Sequence, residues 1–389
     1  MQNPDKKSDS LYEDNNSVSK NQQNKDTDNN LNNNNPNFDF SNFKDTDFMN
    51  EADQLSKQNN EIMEHIGIFT AKSANKWIEE SKSKPIQKML FGELWFEREL
   101  CILFADTNLG KSILAVQISN SISRGINISG FKLEAPKQKV LYFDFELSEK
   151  QFESRYAVKN EELKIFENHY KWDDNFIRIE INPDAEIPEN TSFEVLLNES
   201  LEKSIILHDA KVLIIDNLTY LKTETEKAKD ALPLMKELKA LKNRYGLSIL
   251  ALAHTPKRDL SKPITRNDLQ GSKMLINFCD SSFTIGESHT DKHLRYLKQI
   301  KARNIEILYD TDNVIVCQIE KAENFLQFEL LNYGSEKEHL KQLSVNDKEE
   351  RISEVLELKS QGLSNIEIAR RFGVSEGSIR KWIKKNNSK

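Results

Sequence analysis

Ala105-Asp106-Thr107-Asn108-Leu109-Gly110-Lys111-Ser112 is the stretch whose reading decides the fold. An apolar run, Leu100 to Phe104, precedes it, and an amphipathic stretch, Ile113 to Ile122, follows. Strand, loop and helix in that order are the setting a phosphate-binding loop requires. The usual pattern is G-x-x-x-x-G-K-S/T; the last three positions fit, and Ala105 stands at the first glycine. The main chain of Thr107, Asn108, Leu109, Gly110, Lys111, Ser112 and Ile113, with the helix N-terminus behind it, would surround nucleotide phosphates. Lys111 would reach the β- and γ-phosphates, and the Ser112 hydroxyl would ligate Mg²⁺. ATP and Mg²⁺ are therefore the expected cofactors. An Ala at the first position adds one methyl group, tolerable where the residue need not adopt positive φ. The alternative for the octapeptide alone is an ordinary turn carrying a surface lysine.

Downstream, apolar runs of strand length alternate with helical patterns. Val140 to Phe145, Phe176 to Ile181, Lys211 to Asp216 and Ser248 to Ala253 read as strands; Glu149 to Val158, Phe193 to His208 and Lys227 to Tyr245 read as helices. Alternation of this kind predicts a mainly parallel sheet covered on both faces. From Ser282 the pattern changes to strands at 282–285, 295–300, 314–319 and 326–331 joined by polar turns, which predicts antiparallel hairpins extending the sheet. Upstream, Asn59 to Lys82 reads as a helical lead-in packing on this domain or on a neighbouring subunit.

Four features after the loop carry chemistry. Val212-Leu213-Ile214-Ile215-Asp216 is a buried strand ending in a carboxylate, the Walker B pattern, and Asp216 would support Mg²⁺ beside the phosphate loop. In Leu141-Tyr142-Phe143-Asp144-Phe145-Glu146 the two carboxylates share one side of a strand. Glu146, at the strand's end, would polarise the attacking water, with Asp144 as its rival and a structural role for both as the alternative. His254 ends the strand Ile249–Ala253 and would act as a γ-phosphate sensor. In Lys298-Gln299-Ile300-Lys301-Ala302-Arg303-Asn304, Lys301 and Arg303 flank one residue and point the same way, a pair suited to a neighbouring subunit's γ-phosphate or else a solvated basic turn.

Together these residues resemble the RecA-like P-loop ATPases, most closely the hexameric replicative helicases of the DnaB and RepA kinds. The resemblance runs from about Lys84 to Leu331, and Asp268-Leu269-Gln270-Gly271-Ser272 resembles a stretch near the DNA-facing loops of that group. It implies a homo-oligomeric ring, of six subunits in that family, with Glu146 activating water, His254 sensing phosphate, and Lys301 and Arg303 acting across the subunit interface. Ala105 departs from the family pattern. No primase-binding domain is recognisable, which favours the RepA kind over DnaB.

The C-terminal stretch reads differently. Lys348 to Lys359 is amphipathic; Ser364 and Glu367 make a capping box; Ile366, Ala369 and Phe372 form an apolar stripe; Gly373 turns the chain; Ser375 caps a further helix closed by Ile379, Trp382 and Ile383. This is a helix-turn-helix and resembles the DNA-binding domains of resolvases and transposases. From Lys359 onward eight Lys or Arg face two acidic residues, a local charge of +6 in a chain whose formal net charge is −7. That is the footprint of phosphate binding. Ser378, Arg380, Lys381 and Lys384 are the candidate DNA contacts. A small protein-interaction domain is the alternative.

The expected organisation is an Asn/Asp-rich disordered tail over 1–58, an ATPase domain with its lead-in over 59–335, a polar linker over 336–347 and the helix-turn-helix over 348–389. Phe38, Phe40, Phe43 and Phe48 stand out in the tail as scattered aromatics or a docking motif. The three cysteines, Cys101, Cys279 and Cys317, sit in apolar runs without metal or redox spacing. No apolar run approaches the ~18 residues of a membrane span, and no signal-peptide core opens the chain. A cytoplasmic protein with no membrane partner is expected. Its function would be Mg²⁺-dependent ATP hydrolysis coupled to action on DNA, as a helicase or translocase of plasmid or mobile-element replication or mobilisation. The alternatives are a sequence-specific regulator with a nucleotide-switch ATPase domain, and a filament-forming recombination mediator.

Overall fold

The computed structural model describes residues 65, 66, 69–218, 220, 231–256, 258–269, 272–342, 345–372 and 374–386. The tail with its phenylalanine cluster, Gln270-Gly271 and Gly373 lie outside the described residues. The chain divides into two units, 1–84 and 85–389. In the first, β1 (His65–Ile66) pairs antiparallel with β2 (Phe69–Thr70), and α1 spans Ala74–Lys82. Of the helix expected over 59–82, the described residues form a helix at 74–82 and short strands at 65–66 and 69–70, while 59–64, 67 and 68 lie outside the described residues. Ser73 caps α1 by accepting from the Lys76 N–H.

The second unit opens with β3 (Met89–Phe91) and β4 (Trp95–Phe96), then β5 (Leu100–Ala105), α2 (Lys111–Arg124), β6 (Val140–Asp144), α3 (Glu149–Arg155), the hairpin β7 (Val158–Asn160) and β8 (Ile165–Glu167), and β9 (Phe176–Ile179). There follow α4 (Phe193–His208), β10 (Val212–Asp216), α5 (Ala231–Tyr245), β11 (Ser248–His254), α6 (Ser272–Phe278), and β12 (Ser281–Glu287), β13 (Leu294–Lys301), β14 (Val314–Ala322) and β15 (Phe325–Gly334). The helix expected to reach Val158 stops at Arg155, where the chain turns into a hairpin.

Nine strands form one sheet in the order β15-β14-β13-β12-β5-β11-β10-β6-β9. The six from β12 to β9 are parallel, and β12 to β15 add antiparallel neighbours. The two-residue period of a strand divides β5 between two cores. Cys101, Leu103 and Ala105 pack with Leu114, Ile118 and Ile122 of α2 on one face. Leu100, Ile102 and Phe104 pack with Leu201 and Ile205 of α4 and with Leu234, Leu238 and Leu241 of α5 on the other. Burial on both faces explains why β5 and β10 read as continuous apolar runs and not as alternating ones.

The polar stretch 336–347 begins as an anchor, not a tether. Glu336 is fully buried: its Oε2 meets Lys298 Nζ at 2.5 Å, and its Oε1 accepts from the Ile264 N–H at 2.6 Å and the Tyr296 hydroxyl at 3.2 Å. Beyond it come α7 (Val345–Ser360), α8 (Asn365–Phe372) and α9 (Glu376–Asn386). Val355, Leu358, Ile368, Ala369 and Ile379 form their core, with Phe372, Trp382 and Ile383 packed against it. Ile366, expected in the buried stripe, is 53% exposed, and Ile368 takes its place. The Ser364–Glu367 capping box forms in both directions, at 2.9 and 3.2 Å.

Candidate functional site

Parallel register brings the C-terminal ends of four strands together. Asp216 lies opposite Asp144, and His254 opposite Ala105. That edge of an open α/β sheet is where ligands bind. Between β5 and α2 the chain makes a tight turn, with Asn108 at φ 63 and Gly110 at φ 95. Asn tolerates the left-handed region, whereas at Gly110 an added Cβ would also lie 2.7 Å from Ile319 Cδ1 and 2.9 Å from Phe328 Cε2. Ala105 stays in the strand without positive φ, so its methyl group is accommodated. Thr107 and Asn108 are exposed, Ser112 and Ile113 are half-buried, and Leu109 is buried. The buried Lys111 folds back over the loop: Nζ donates to the carbonyls of Ala105 and Asp106, each at 3.1 Å, and to His254 Nδ1 at 3.2 Å. Burial lowers its pKa, opposed by the charges of Asp216 and Glu146.

Asp216 is completely buried, and burial pushes its pKa up to about 6 against the hydrogen-bonding influence of the Ser112 and Tyr142 hydroxyls. Tyr142 donates to Oδ2 at 2.7 Å, while Oδ1 is buried and has no hydrogen-bond partner among the described residues. A buried, unpartnered carboxylate oxygen close to a serine hydroxyl fits a divalent cation. No cluster of three or more His, Cys, Asp or Glu suited to a metal occurs among the described residues.

The two carboxylates after α2 part company. Asp144 is buried and engaged: Arg178 Nε lies 2.9 Å from Oδ2, and Oδ1 accepts from the N–H groups of Glu146 and Leu147 at 3.2 and 2.9 Å. Arg178 also donates to the Leu147 carbonyl at 2.7 Å and lies over the Phe152 ring. Asp144 thereby shapes the turn that carries Glu146 into the site. The half-exposed Glu146 accepts from Asn217 Nδ2 and lies 3.4 Å from His254 Nε2. Because the Lys111 ammonium can only donate, His254 Nδ1 accepts, and Nε2–H is left to donate to Glu146. That bond, with the Lys111 charge and the Asn217 amide, holds the Glu146 pKa below its ordinary value against burial.

Lys111, Asp216, Glu146 and His254 thus meet in one site. Lys301 and Arg303 do not. Lys301 pairs with Ser282 at the other end of the sheet and donates to the carbonyls of Ile276 at 2.6 Å and Cys279 at 2.7 Å. Arg303 meets Asp280 at 3.0 Å. By register Lys301 sits level with Ile102, three residue steps before Ala105 on β5, about 10 Å at strand spacing. Three residues that sequence reasoning missed complete the site: Tyr142, Arg178 and Asn217. Tyr142 lies two residues before Asp144 on the same side of β6, a signal that reads equally well as core. In the helix-turn-helix, Arg380, Lys381 and Lys384 are exposed on α9. Arg380 is paired with Glu376 at 2.7 Å, and Ser378 belongs to the cap, its N–H donating to Ser375 Oγ at 3.2 Å.

Residues 71–259 match the AAA domain family, and residues 350–389 match a helix-turn-helix domain family. No curated protein matches the chain. The first match ends five residues after His254, so it takes in the loop, Glu146, Asp216 and β11 but none of β12 to β15. No helix among the described residues is long and apolar enough to cross a membrane. The stretch that carries the loop, on a mainly parallel α/β sheet, is thus similar to the AAA domain family, and the three C-terminal helices are similar to a helix-turn-helix domain family.

Proposed function

We propose that the protein is a cytoplasmic, Mg²⁺-dependent ATPase working on DNA as a ring-forming helicase or translocase, of the kind that serves plasmid or mobile-element replication or mobilisation. The observation that carries this reading is the convergence of Lys111, Asp216, Glu146 and His254 at one strand edge. The turn from Thr107 to Ile113 and the α2 N-terminus would hold the β- and γ-phosphates. Lys111 would give up the Ala105 and Asp106 carbonyls and His254 for phosphate oxygens. Ser112 and Asp216 would hold Mg²⁺, whose chemistry when bound is to neutralise charge on the phosphate oxygens. Glu146 would accept a proton from the water whose oxygen bonds to the γ-phosphorus as the bond to the β–γ bridging oxygen breaks. In a ring, Lys301 and Arg303 would exchange Cys279 and Asp280 for a neighbour's γ-phosphate.

The test is steady-state ATP turnover at fixed salt with no DNA, with single-stranded DNA and with duplex, together with strand displacement. Stimulation by single strands and displacement of a duplex are expected; turnover that DNA leaves unchanged would defeat the motor reading. The alternative, a DNA-binding regulator whose ATPase domain is a nucleotide switch, draws support from the ion pair between Asp259, beyond β11, and Arg351 of α7 at 2.5 Å. It predicts slow turnover and no strand displacement. Closed rings, against filaments, are read by electron microscopy.

A further inference from the structure

The sensor strand β11 does not end in a free loop. Its continuation, residues 255–264, is tied to the phosphate-loop strand at one end and to the helix-turn-helix in the middle. The Thr255 N–H donates to the Ala105 carbonyl at 3.2 Å, one residue after His254 reaches Lys111. Asp259 then folds the chain into a tight turn, its Oδ1 accepting from the Ser261 N–H at 3.0 Å and the Ser261 hydroxyl at 2.7 Å. The same Oδ1 meets Arg351 of α7 at 2.5 Å, with the two side chains 18% and 25% exposed. Three residues on, Lys262 Nζ donates to the carbonyl of Phe372 at 3.0 Å. Phe372 is the last residue of α8, so a cation sits on one of the outward carbonyls at a helix C-terminus, where the helix dipole favours it. Beyond the turn, Ile264 is bolted on both sides: Glu336 accepts from its N–H, and Lys298 donates to its carbonyl at 2.8 Å. The main chain leading to α7 also returns to this segment, with the Lys341 N–H donating to the Leu260 carbonyl at 3.0 Å.

We infer that the Asp259–Lys262 turn is a latch that makes the pose of the helix-turn-helix depend on the nucleotide site. This rests on the functional reading above. A γ-phosphate that takes Lys111 removes the Lys111–His254 contact at the strand end from which the latch hangs, while the β5–β11 pairing persists. The latch grips the supporting helices α7 and α8 and leaves Arg380, Lys381 and Lys384 of α9 exposed. Nucleotide therefore alters how α9 is presented to duplex DNA without competing with it. By linkage, duplex binding alters nucleotide affinity by the same factor.

The test uses the full-length protein with Mg²⁺ and a non-hydrolysable ATP analogue. Duplex affinity and hydrogen exchange over residues 365–372 are each read with and without the analogue. The wild type should change its duplex affinity by about fivefold or more, the usual lower range for coupled sites, and should change its exchange over α8. Arg351→Ala should lose both responses while keeping ATP turnover without DNA; Lys262→Ala should do the same through the other contact; Arg351→Lys should recover part of the response. A full wild-type response in Arg351→Ala would overturn the latch, as would a wild type that binds the analogue by calorimetry yet shows neither response. Failure of the analogue to bind would overturn the nucleotide-site reading as well. If duplex binding is absent, the exchange measurement decides alone.

Discussion

Replacing Asp216 by Asn should impair the enzyme and stabilise the protein. The carboxyl has no exposure, and its pKa is raised from the usual 3.8 to about 6. The folded state therefore holds a proton on Asp216 that the unfolded chain releases between those two values. A raised folded pKa means that the folded state binds more protons than the unfolded one in this window. Stability is therefore highest below it and is lost as pH rises from about 4 to about 6. Two pH units at about 1.4 kcal/mol each give a penalty of at most about 3 kcal/mol above pH 6. Asn is a neutral isostere that keeps an acceptor for the Tyr142 hydroxyl. Without nucleotide, Asp216→Asn should unfold several degrees above the wild type at pH 7–8, with the gap shrinking towards zero near pH 4.5. Thermal unfolding across that range reads it. With Mg²⁺ and ADP the order should narrow or reverse, because the wild type gains a bound cation that the variant lacks. A variant less stable than the wild type at pH 7 without ligand, or a gap that ignores pH, would refute the reasoning that this carboxylate is held in place for a cation.

Glu146→Gln should bind ATP with nearly wild-type affinity and not turn it over, measured by calorimetry and phosphate release. Asp144→Asn should instead lose about 1.5–3 kcal/mol of stability as a charged hydrogen-bond partner of Arg178 is removed, read by urea unfolding. Glu336→Ala should cost about 3–5 kcal/mol, because it leaves Lys298 buried without its counter-charge; a loss under 1 kcal/mol would show that the pair is dispensable. Gly110→Ala should abolish nucleotide binding, since the methyl group meets both an unfavourable φ and two side chains of β14 and β15.

How much of this was legible in sequence depends on how local the signal is. The strands β5, β10 and β11 announce themselves because a strand buried on both faces must be apolar throughout, and the loop because Gly-Lys-Ser between strand and helix has few other uses. Glu146 and Asp144 could not be separated from spacing alone. What separates them is Arg178, thirty-odd residues away on β9, whose partner is fixed only by the β6–β9 register. Asn217 and Tyr142 likewise gain their meaning from neighbours across the sheet. In the lead-in, 65–66 pair with 69–70 as two-residue strands, and so short a pairing leaves no periodic trace in the sequence. Ile366 and Ile368 differ by two positions on a helix of eight residues, where a small rotation decides which is inside.

The contact of Gly110 with Ile319 and Phe328 bears on how far the molecule can be cut down. The antiparallel strands beyond β12 lie outside the stretch that matches the AAA family, which invites treating them as an appendage. Yet the Gly110 Cα abuts side chains of β14 and β15, and Gln117 of α2 exchanges hydrogen bonds with both main-chain groups of Phe328 at 2.9 and 3.0 Å. The surface behind the loop is thus made by residues more than two hundred positions downstream of the loop itself. A minimal catalytic fragment cannot stop where the family likeness stops; it has to run to the last strand, or the glycine at the heart of the loop loses the surface that moulds it.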